Sequence, residues 1–294
     1  MVIFKVRYIM VRIALPNKGR VYEPIMDLFE MAGLHIVDHS ERSLIAKTVD
    51  GEISLLFARS RDIPEYVENG AADMGITGED FIHESGVNVE TLLDIGIGKA
   101  DLVLAVPDDS KVESPKQLAN KRIATEFPQV TKKFFESNGV PVHIVEVSGA
   151  TEITPHIGVA DAIVDLTSSG TTLSMNHLKI IAQVLHTSQK LIASKESMAA
   201  QPKKIAEIKL ALDSVIEAKG KRYLMMNVPE TALEEVKKKL PGMSGPTVMR
   251  VEANSPMCAV HAVVHERDIY RVVNELKSVG ARDILIVPIE RIVR

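Results

Sequence analysis

The sequence predicts an α/β protein with two lobes and a separate βαββαβ domain at its carboxyl end. Three observations support this prediction. The chain has 294 residues, of which 46% are apolar, and this is more than one ordinary core needs. Short apolar runs alternate with helix-period stretches over the first two thirds of the chain. The last third has a different order, in which two strands follow each other directly.

The first lobe is predicted from strands that each end in a polar turn. Residues 11–15 are apolar and lead into residues 16–20 (PNKGR). Residues 53–58 lead into Arg59, and residues 73–77 (DMGIT) lead into an acidic turn. Because helices alternate with these strands, we expect parallel pairing, which brings the turns to one carboxyl edge of a sheet.

The second lobe follows an apolar strand at residues 102–106, which Pro107 closes and where we predict a crossover. Its other strands are predicted at residues 122–125, 143–147 and 162–166, with a helix over residues 131–138. Strands at residues 180–186 and 190–193 return to the first lobe. One α/β unit inserted in another gives two lobes that face each other across a cleft, where small ligands usually bind.

The last third of the chain begins with a predicted helix over residues 205–219, which ends at Gly220. Strands and helices then follow in the order βαββαβ, the ferredoxin-like split motif. The strands are predicted at residues 223–228, 247–251, 257–265 and 283–288, and the helices at residues 230–240 and 268–279. The predicted domains are therefore residues 1–105 with 187–218, residues 106–186, and residues 219–294.

Composition argues against several classes of function. The net charge is −4, so the basic field that suits a nucleic-acid partner is absent. The sequence has no run of 18 apolar residues, so a membrane span is not expected. Charged residues interrupt the apolar amino end, which we interpret as a strand rather than a signal peptide. Cys258 is the single cysteine, so neither a disulfide framework nor a multi-cysteine metal site is expected. We expect a soluble, cytoplasmic protein.

A loop rich in hydroxyl groups follows the strand at residues 162–166. Its members are Thr167, Ser168, Ser169, Gly170, Thr171 and Thr172. Gly170 allows a turn, and hydroxyls with amides at the start of a following helix can cradle a phosphate monoester. Asp165 ends the strand, where its carboxylate can accept hydrogen bonds from a ribose diol. An ordinary capped helix explains the loop equally well. It is not a Walker loop, because no Gly-Lys-Ser/Thr sequence follows.

Two further segments favour a ligand with phosphates. Lys18 and Arg20 lie on a glycine turn after the first strand, and acids with glycines surround residues 73–77. Either segment alone is compatible with an ordinary surface turn. Their joint position at the carboxyl ends of strands is what a cleft for a polyphosphate substrate requires.

The chain resembles the long form of ATP phosphoribosyltransferase, the first enzyme of histidine biosynthesis. The matching segments are RIALPNKGR (12–20), ADMGITGED (72–80), KRIATEFP (121–128), GVADAIVDLTSSGTTL (158–173), KRYLMMNVP (221–229) and LKSVGARDILIVPIE (276–290). They occur in the family's order over almost the whole chain. The resemblance implies two periplasmic-binding-protein-like α/β lobes around a cleft and a C-terminal ferredoxin-like domain, which distinguishes the long form.

The resemblance also implies the reaction. Adenine N1 of ATP attacks C1 of phosphoribosyl pyrophosphate, which gives phosphoribosyl-ATP and pyrophosphate. An oxocarbenium-like centre needs alignment and charge neutralisation more than a protein nucleophile. Mg²⁺ is the implied cofactor, held mainly by substrate phosphates with few protein ligands.

Site residues follow from the matching motifs. Asp165, Lys18 and Arg20 are the implied catalytic residues. Asp165 holds the ribose hydroxyls, Asp161 belongs to the same phosphoribosyl site, and the loop from Thr167 to Thr172 cradles the 5-phosphate. The residues implied for ATP are Lys18, Arg20, Arg59, Asp73 and Thr77. Arg59 is equally compatible with a surface ion pair.

The tail is implied to be regulatory, with histidine as a feedback inhibitor and homo-oligomers from dimer to hexamer. The implied histidine contacts are Asn227, Thr247, Met257 and Ala259. His261 and His265 have the spacing of a helical zinc motif, but the segment alternates as a strand and a third ligand is missing, so we do not expect a metal. Cys258 is expected to be a buried apolar residue.

Two rival interpretations remain. Two α/β lobes joined by a crossover are also typical of solute-binding modules and effector-sensing domains, in which the cleft only binds. A phosphoribosyltransferase that acts on another base is the second alternative. Release of pyrophosphate from ATP and phosphoribosyl pyrophosphate distinguishes both from the first interpretation.

Overall fold

The computed structural model describes residues 10–37, 43–240, 245–251 and 256–294. The strand expected at the amino end lies largely outside these residues. The chain divides into two compact units, Met1–Lys209 and Leu210–Arg294. No helix of the described residues is long and apolar enough to cross a membrane.

The first unit contains two sheets. Its strands are β1 (Val11–Pro16), β2 (Ile45–Lys47), β3 (Ile53–Ala58), β4 (Met74–Gly78), β5 (Glu90–Asp94), β6 (Ala100–Pro107), β7 (Arg122–Thr125), β8 (His143–Glu146), β9 (Ala162–Thr167), β10 (Leu178–Thr187) and β11 (Gln189–Ala193). Its helices are α1 (Tyr22–Met31), α2 (Ile63–Glu68), α3 (Glu79–Ser85), α4 (Pro128–Ser137), α5 (Thr171–Met175) and α6 (Lys195–Ala200), and α7 (Pro202–Ala218) contains the border with the second unit.

The two sheets share one order of five strands with the same relative directions, and the first sheet has β2 as a sixth strand at its edge. The first is ordered β2-β3-β1-β4-β11-β5, and the second, read from its far edge, β8-β7-β9-β6-β10. In the first sheet β1 is parallel to its neighbours β3 and β4, and β11 is antiparallel to β4. In the second sheet β7 is parallel to its neighbours β8 and β9, and β6 is antiparallel to β9. Both antiparallel strands follow a crossover between the lobes. The chain enters the second lobe just before β6 and returns to the first lobe between β10 and β11. The predicted pair of periplasmic-binding-protein-like lobes is confirmed.

One detail of the prediction is corrected. The sheets are mixed rather than parallel, because a strand that crosses directly between lobes enters without an intervening helix and runs antiparallel to its neighbour. Strand β6 pairs with β9 and β10 in the second sheet. An apolar run such as 102–106 marks the buried middle of a sheet rather than a linker.

Burial explains why these segments form strands. Val11, Ile13, Ala14 and Leu15 are fully buried in β1, and Leu102, Leu104 and Val106 are fully buried in β6. Both strands lie inside their sheets, where apolar residues face helices on either side. Each buried side chain of this size contributes about 2 kcal/mol relative to exposure. The rigid middle strands therefore fix the positions of the polar turns at their ends.

The second unit is an antiparallel sheet with two helices. Its elements are β12 (Lys221–Pro229), α8 (Leu233–Lys239), β13 (Thr247–Arg250), β14 (Met257–His265), α9 (Ile269–Ser278) and β15 (Arg282–Pro288). The strand order β13-β14-β12-β15 is that of the ferredoxin-like fold, as predicted. Cys258 lies in the core with Val260, which confirms its expected burial. His261 is on the opposite face of β14, where its Nδ1 is 3.1 Å from the Tyr223 hydroxyl.

Candidate active site

The hydroxyl-rich loop leaves the carboxyl end of β9, between the neighbouring strands β7 and β6. Gly170 adopts a positive φ of 75° and begins α5. Its N–H donates to Thr167 Oγ1 at 2.8 Å, which closes the turn. The hydroxyls of Ser169 and Thr171 are 2.8 Å apart, and both side chains are exposed, as are those of Ser168 and Thr172. The loop therefore presents a set of hydroxyl groups in a fixed arrangement at the sheet edge.

Asp165 lies just before this loop in β9. Burial raises the pKa of its carboxyl from an ordinary 3.8 to about 6, opposed by a hydrogen bond from the Leu166 N–H, 2.7 Å from Oδ1. The negative charges of Glu152 and Glu126 raise the pKa further. A half-buried carboxyl with a strongly perturbed pKa at a sheet edge marks a candidate functional site.

Glu126 and Glu152 were missed by the sequence prediction. Glu126 directly follows β7, as the hydroxyl loop follows β9, so its place after an apolar strand was a usable signal. Glu152 lies in a short turn, Thr151–Ile153, and no local pattern predicts that this turn lies beside β9. Carboxylate oxygens suit Mg²⁺, but the described residues contain no group of three or more His, Cys, Asp or Glu side chains that could hold a metal ion.

Cations line the carboxyl edge of the first lobe. Lys18 and Arg20 are exposed on the turn after β1, where Gly19 has a φ of 90°. The turn is tied to β3 by the Asn17 N–H, which donates to the Ala58 carbonyl at 2.8 Å. Arg59 follows Ala58 directly and is also exposed. The parallel pairing of β1 and β3 thus brings the three predicted cations to one edge.

A cavity of about 320 Å³ lies beside this turn. Its lining includes Lys18, Tyr22, Glu23, Leu44 and Phe57. The ring centroids of Tyr22 and Phe57 are 6.1 Å apart. The cavity therefore combines aromatic and apolar walls with a cation at its rim, which is the usual chemistry of a site for a small charged ligand.

Asp73 and Asp161 lie at the amino edges of their sheets, before β4 and β9. Asp73 Oδ2 accepts the Arg12 N–H at 2.8 Å, at the start of β1. Lys18 is six residues beyond Arg12, about 20 Å along an extended chain. Asp161 Oδ2 accepts the Arg122 N–H at 2.9 Å, and this contact lowers the pKa of the Asp161 carboxyl. Each aspartate thus precedes its strand, at the end away from the carboxyl edge.

The side chain of Thr77 is fully buried. Its hydroxyl donates to the Ser60 carbonyl at 2.7 Å. Ser60 follows Arg59, so Thr77 holds the turn that carries this cation. It supports the edge without being part of its exposed surface.

The comparisons with known proteins decide the family. The model of the family described as ATP phosphoribosyltransferase matches residues 59–214, and the model of the HisG C-terminal domain matches residues 218–291. The chain belongs to the ATP phosphoribosyltransferase family. The predicted resemblance to the long form of this family of histidine biosynthesis is therefore confirmed.

Relatives within the family match over nearly their full length. The ATP phosphoribosyltransferase of Methanocella arvoryzae is 75% identical over 285 residues, 97% of this chain and 100% of that protein. That of Methanosarcina mazei is 58% identical over 288 residues, 96% of this chain and 99% of that protein. A solved chain of the ATP phosphoribosyl transferase (HisG:HisZ) complex from Thermotoga maritima is 31% identical, with a TM-score of 0.63, and the match covers 71% of this chain and 99% of that one.

Asp80 lies in the matching segment 72–80, but the sequence prediction gave it no role in this ATP phosphoribosyltransferase family member. It is the second residue of α3, which follows β4, and it is buried. Thr187 Oγ1 donates to Asp80 Oδ1 at 2.8 Å, and the Asp80 N–H donates to Thr187 Oγ1 at 3.1 Å. Burial raises the pKa of the Asp80 carboxyl, while Thr187 and the charge of Arg20 oppose this. Asp80 therefore ties the first lobe to the last residue of β10 in the second.

The residues expected to bind histidine share the face of the ferredoxin-like sheet that is turned away from its core. Asn227 on β12 pairs with Ala259 on β14, and Thr247 on β13 pairs with His261. Met257 lies two residues before Ala259, on the same face. Asn227 Nδ2 donates to Asp283 Oδ2 at 3.0 Å. The structure thus places the four residues on one surface, with Asp283 as a further polar group.

Proposed function

We propose that the chain transfers the phosphoribosyl group of phosphoribosyl pyrophosphate to N1 of ATP and releases pyrophosphate. One observation carries this proposal. The hydroxyl loop with Asp165 occupies the carboxyl edge of one lobe, and Lys18, Arg20 and Arg59 occupy the corresponding edge of the other. A donor that has a phosphate and a diol fits the edge with the hydroxyl loop, and a polyphosphate fits the edge with the cations.

The donor sugar binds at the second lobe. Side-chain hydroxyls from Thr167 to Thr172 donate to the 5-phosphate, and Asp165 accepts from the ribose hydroxyls. Those hydroxyls replace the water that burial removes from the carboxylate, so binding lowers the pKa of Asp165 and favours its ionised form. The ionised carboxylate then lies beside the ribose as C1 becomes positive, which stabilises this charge.

ATP binds at the first lobe. Adenosine occupies the cavity with Tyr22 and Phe57, and the cations of Lys18, Arg20 and Arg59 neutralise phosphate oxygens. Cations at this edge also stabilise pyrophosphate as its negative charge grows. No side chain acts as a nucleophile, since adenine N1 attacks C1 directly and the alignment of the two substrates supplies much of the rate.

When bound, Mg²⁺ would neutralise negative charge on the pyrophosphate oxygens. The site fits such an ion, because the carboxylates of Glu126 and Glu152 lie close enough to Asp165, beside the donor loop, to raise its pKa. Glu126 and Glu152 are the residues that would hold it, directly or through water. Their charge near Asp165 favours a cation in this region.

Regulation belongs to the second unit in this proposal. Histidine binds the sheet face that carries Asn227, Thr247, Met257 and Ala259, and it favours a less active form of a homo-oligomer between dimer and hexamer. The domain division has the two catalytic lobes followed by this regulatory domain, in a cytoplasmic enzyme. Replacing Asn227 by Ala in the full chain is expected to raise the histidine concentration needed for inhibition, with turnover unchanged in its absence. Unchanged inhibition would move the effector site elsewhere.

Pyrophosphate release tests the catalytic proposal. Protein is mixed with ATP, phosphoribosyl pyrophosphate and Mg²⁺, and other nucleobases replace ATP in parallel. We expect release with ATP, loss of release in Asp165→Ala, and normal release in the exposed matched variant Asp109→Ala. Folded wild-type protein that releases no pyrophosphate would overturn the proposal, and release with another base alone would change the acceptor.

A further inference from the structure

Helix α3 of the first lobe reaches across to helix α4 of the second. Glu84, in the last turn of α3, places its carboxylate on the amino end of α4. The Gln129 N–H donates to both carboxylate oxygens at 3.0 Å, and the Val130 N–H donates to Oε2 at 3.0 Å. Acceptor and donors are 45 and 46 residues apart in sequence, so this is a tertiary contact between lobes.

The contact has the chemistry of a strong helix cap. The first amides of an α-helix lack partners within the helix and carry partial positive charge, so a carboxylate binds them well. Charge-assisted hydrogen bonds of this kind are about twice as strong as neutral ones. In most helices a residue directly before the first turn supplies the cap. Here Phe127 precedes α4 and caps nothing with its side chain, and the other lobe supplies the carboxylate.

Two more contacts hold α3 in place. The rings of Phe81 and Phe127 have centroids 5.5 Å apart, and Phe127 is almost fully buried. At the start of α3, Asp80 bonds Thr187. Helix α3 is therefore fixed at its start to the crossover, in its middle to the aromatic ring before α4, and at its end to the α4 amides.

We propose that Glu84 is a positioning residue that fixes the separation of the two carboxyl edges. α4 begins three residues after β7 ends, at the same edge as the donor loop, and α3 begins directly after β4, at the edge of the cations. A bond between the two helices sets how far apart donor and acceptor lie. This inference rests on the proposed function, which puts one substrate on each lobe.

Glu84 does not act on substrate itself. Both of its carboxylate oxygens are engaged by amides of α4. The same contact fills the positive end of α4 with an internal anion, which leaves the hydroxyl loop as the place for the sugar phosphate. Loss of the Glu84 charge should therefore change the alignment of the substrates and leave the groups of the donor loop intact.

Glu84→Gln tests the proposal with little change of shape, and Glu136→Gln is its matched control. Glu136 is an exposed residue near the other end of α4, 3.9 Å from Lys132. Hydrogen exchange at the Gln129 and Val130 amides is measured by NMR in the full chain without substrates. We expect exchange at these two amides to rise about tenfold in Glu84→Gln and to stay unchanged in Glu136→Gln.

Kinetics supply the second measurement. We expect Glu84→Gln to lower kcat about tenfold, because misalignment slows the chemical step. The Kd for phosphoribosyl pyrophosphate should stay within about twofold, since the donor loop lies wholly in the second lobe. Glu84→Asp keeps the charge on a shorter side chain and should give an intermediate kcat. It also replaces Glu84→Gln if that variant does not fold.

Either of two results would overturn the inference. Unchanged exchange at both amides would show that the contact does not join the lobes in solution. Faster exchange with unchanged kcat would show that the contact exists without positioning the substrates. Wild-type protein that releases no pyrophosphate would instead remove the proposed function, and the exchange measurement would still decide whether Glu84 fastens the lobes.

Discussion

Replacing Asp165 by Asn is expected to stabilise the ligand-free protein while abolishing turnover. Asn keeps the size of the side chain and an oxygen that accepts the Leu166 N–H, and it removes the charge. Burial is the main reason that the pKa of Asp165 is about 6 instead of 3.8. This difference corresponds to about 3 kcal/mol of unfavourable free energy for the ionised form in the folded state. Water that enters the site reduces the cost, so we expect a gain of about 1–3 kcal/mol in the variant.

The sign follows from linkage between protonation and folding. The folded-state pKa of Asp165 is above its unfolded value, so the protonated group favours the folded state below pH 3.8, and this contribution is lost as the pH rises through about 6. The amide of the Asp165→Asn variant does not titrate in this range. The gain in free energy of unfolding should therefore be near zero at about pH 4 and reach its full value by about pH 7.

Urea unfolding of both proteins at a series of pH values measures this gain. Asp161→Asn is the matched control, because it makes the same chemical change four residues earlier. The Arg122 contacts lower the pKa of Asp161, so its contribution to stability is present above pH 3.8 and lost on acidification. Asp161→Asn should lose about 1 kcal/mol near pH 7 and keep its turnover.

Two results would contradict this reasoning. If Asp165→Asn is no more stable than wild type near pH 7, burial does not destabilise the Asp165 carboxylate. If it releases pyrophosphate at the wild-type rate, the ribose does not need this carboxylate. A variant that is more stable but inactive is the expected result if the Asp165 carboxylate destabilises the folded protein and is needed for the substrate.

Three further substitutions test the two edges. Gly170→Ala has room for its methyl group, but its φ of 75° costs about 1–2 kcal/mol for any other residue, so KM for phosphoribosyl pyrophosphate should rise about tenfold in steady-state assays. Gly78→Ala would make its Cβ clash with Asp80 Oδ1, so the contact of Asp80 with the crossover must break and the melting temperature should fall by about 5 °C. Lys18→Met should raise KM for ATP and leave the Kd for phosphoribosyl pyrophosphate unchanged, measured by kinetics and titration.

The sequence predicted the inner strands well, because their signal is local. β3 and β7 match the predicted bounds, since each contains consecutive buried residues and is followed by a charged residue. β2 and β5 were missed because they are short and mostly exposed, so no apolar run marks them. The mixed strand directions could not be predicted, because they depend on which lobe receives a crossing strand, a property of the whole chain.

Site residues could be predicted only where they are adjacent in the sequence. The hydroxyl loop and Asp165 are adjacent in sequence, and so are Lys18 and Arg20. Glu84 caps a helix 45 residues away, and no local pattern relates it to Gln129. Asp73 and Asp161 were predicted together with the motifs that contain them, and both lie at the amino end of their strands. Strand direction places residues of one motif at opposite edges of a sheet, so a motif alone does not show which of its residues share an edge.

Asp73 and Asp161 belong to a structural repeat inside the first unit. The Arg12 and Arg122 amides donate to Asp73 and Asp161, and the Asp73 and Asp161 amides donate back to the arginine carbonyls, all at 2.8–2.9 Å. Counting four residues on from each aspartate brings Thr77 and Asp165 to equivalent positions. The amino edges thus repeat one structural arrangement in both lobes, and the carboxyl edges differ. One lobe has a buried threonine behind exposed cations, and the other has a carboxyl group beside hydroxyls. Because the shared parts serve the fold, the differences between the lobes are where the chemistry of each substrate must be sought.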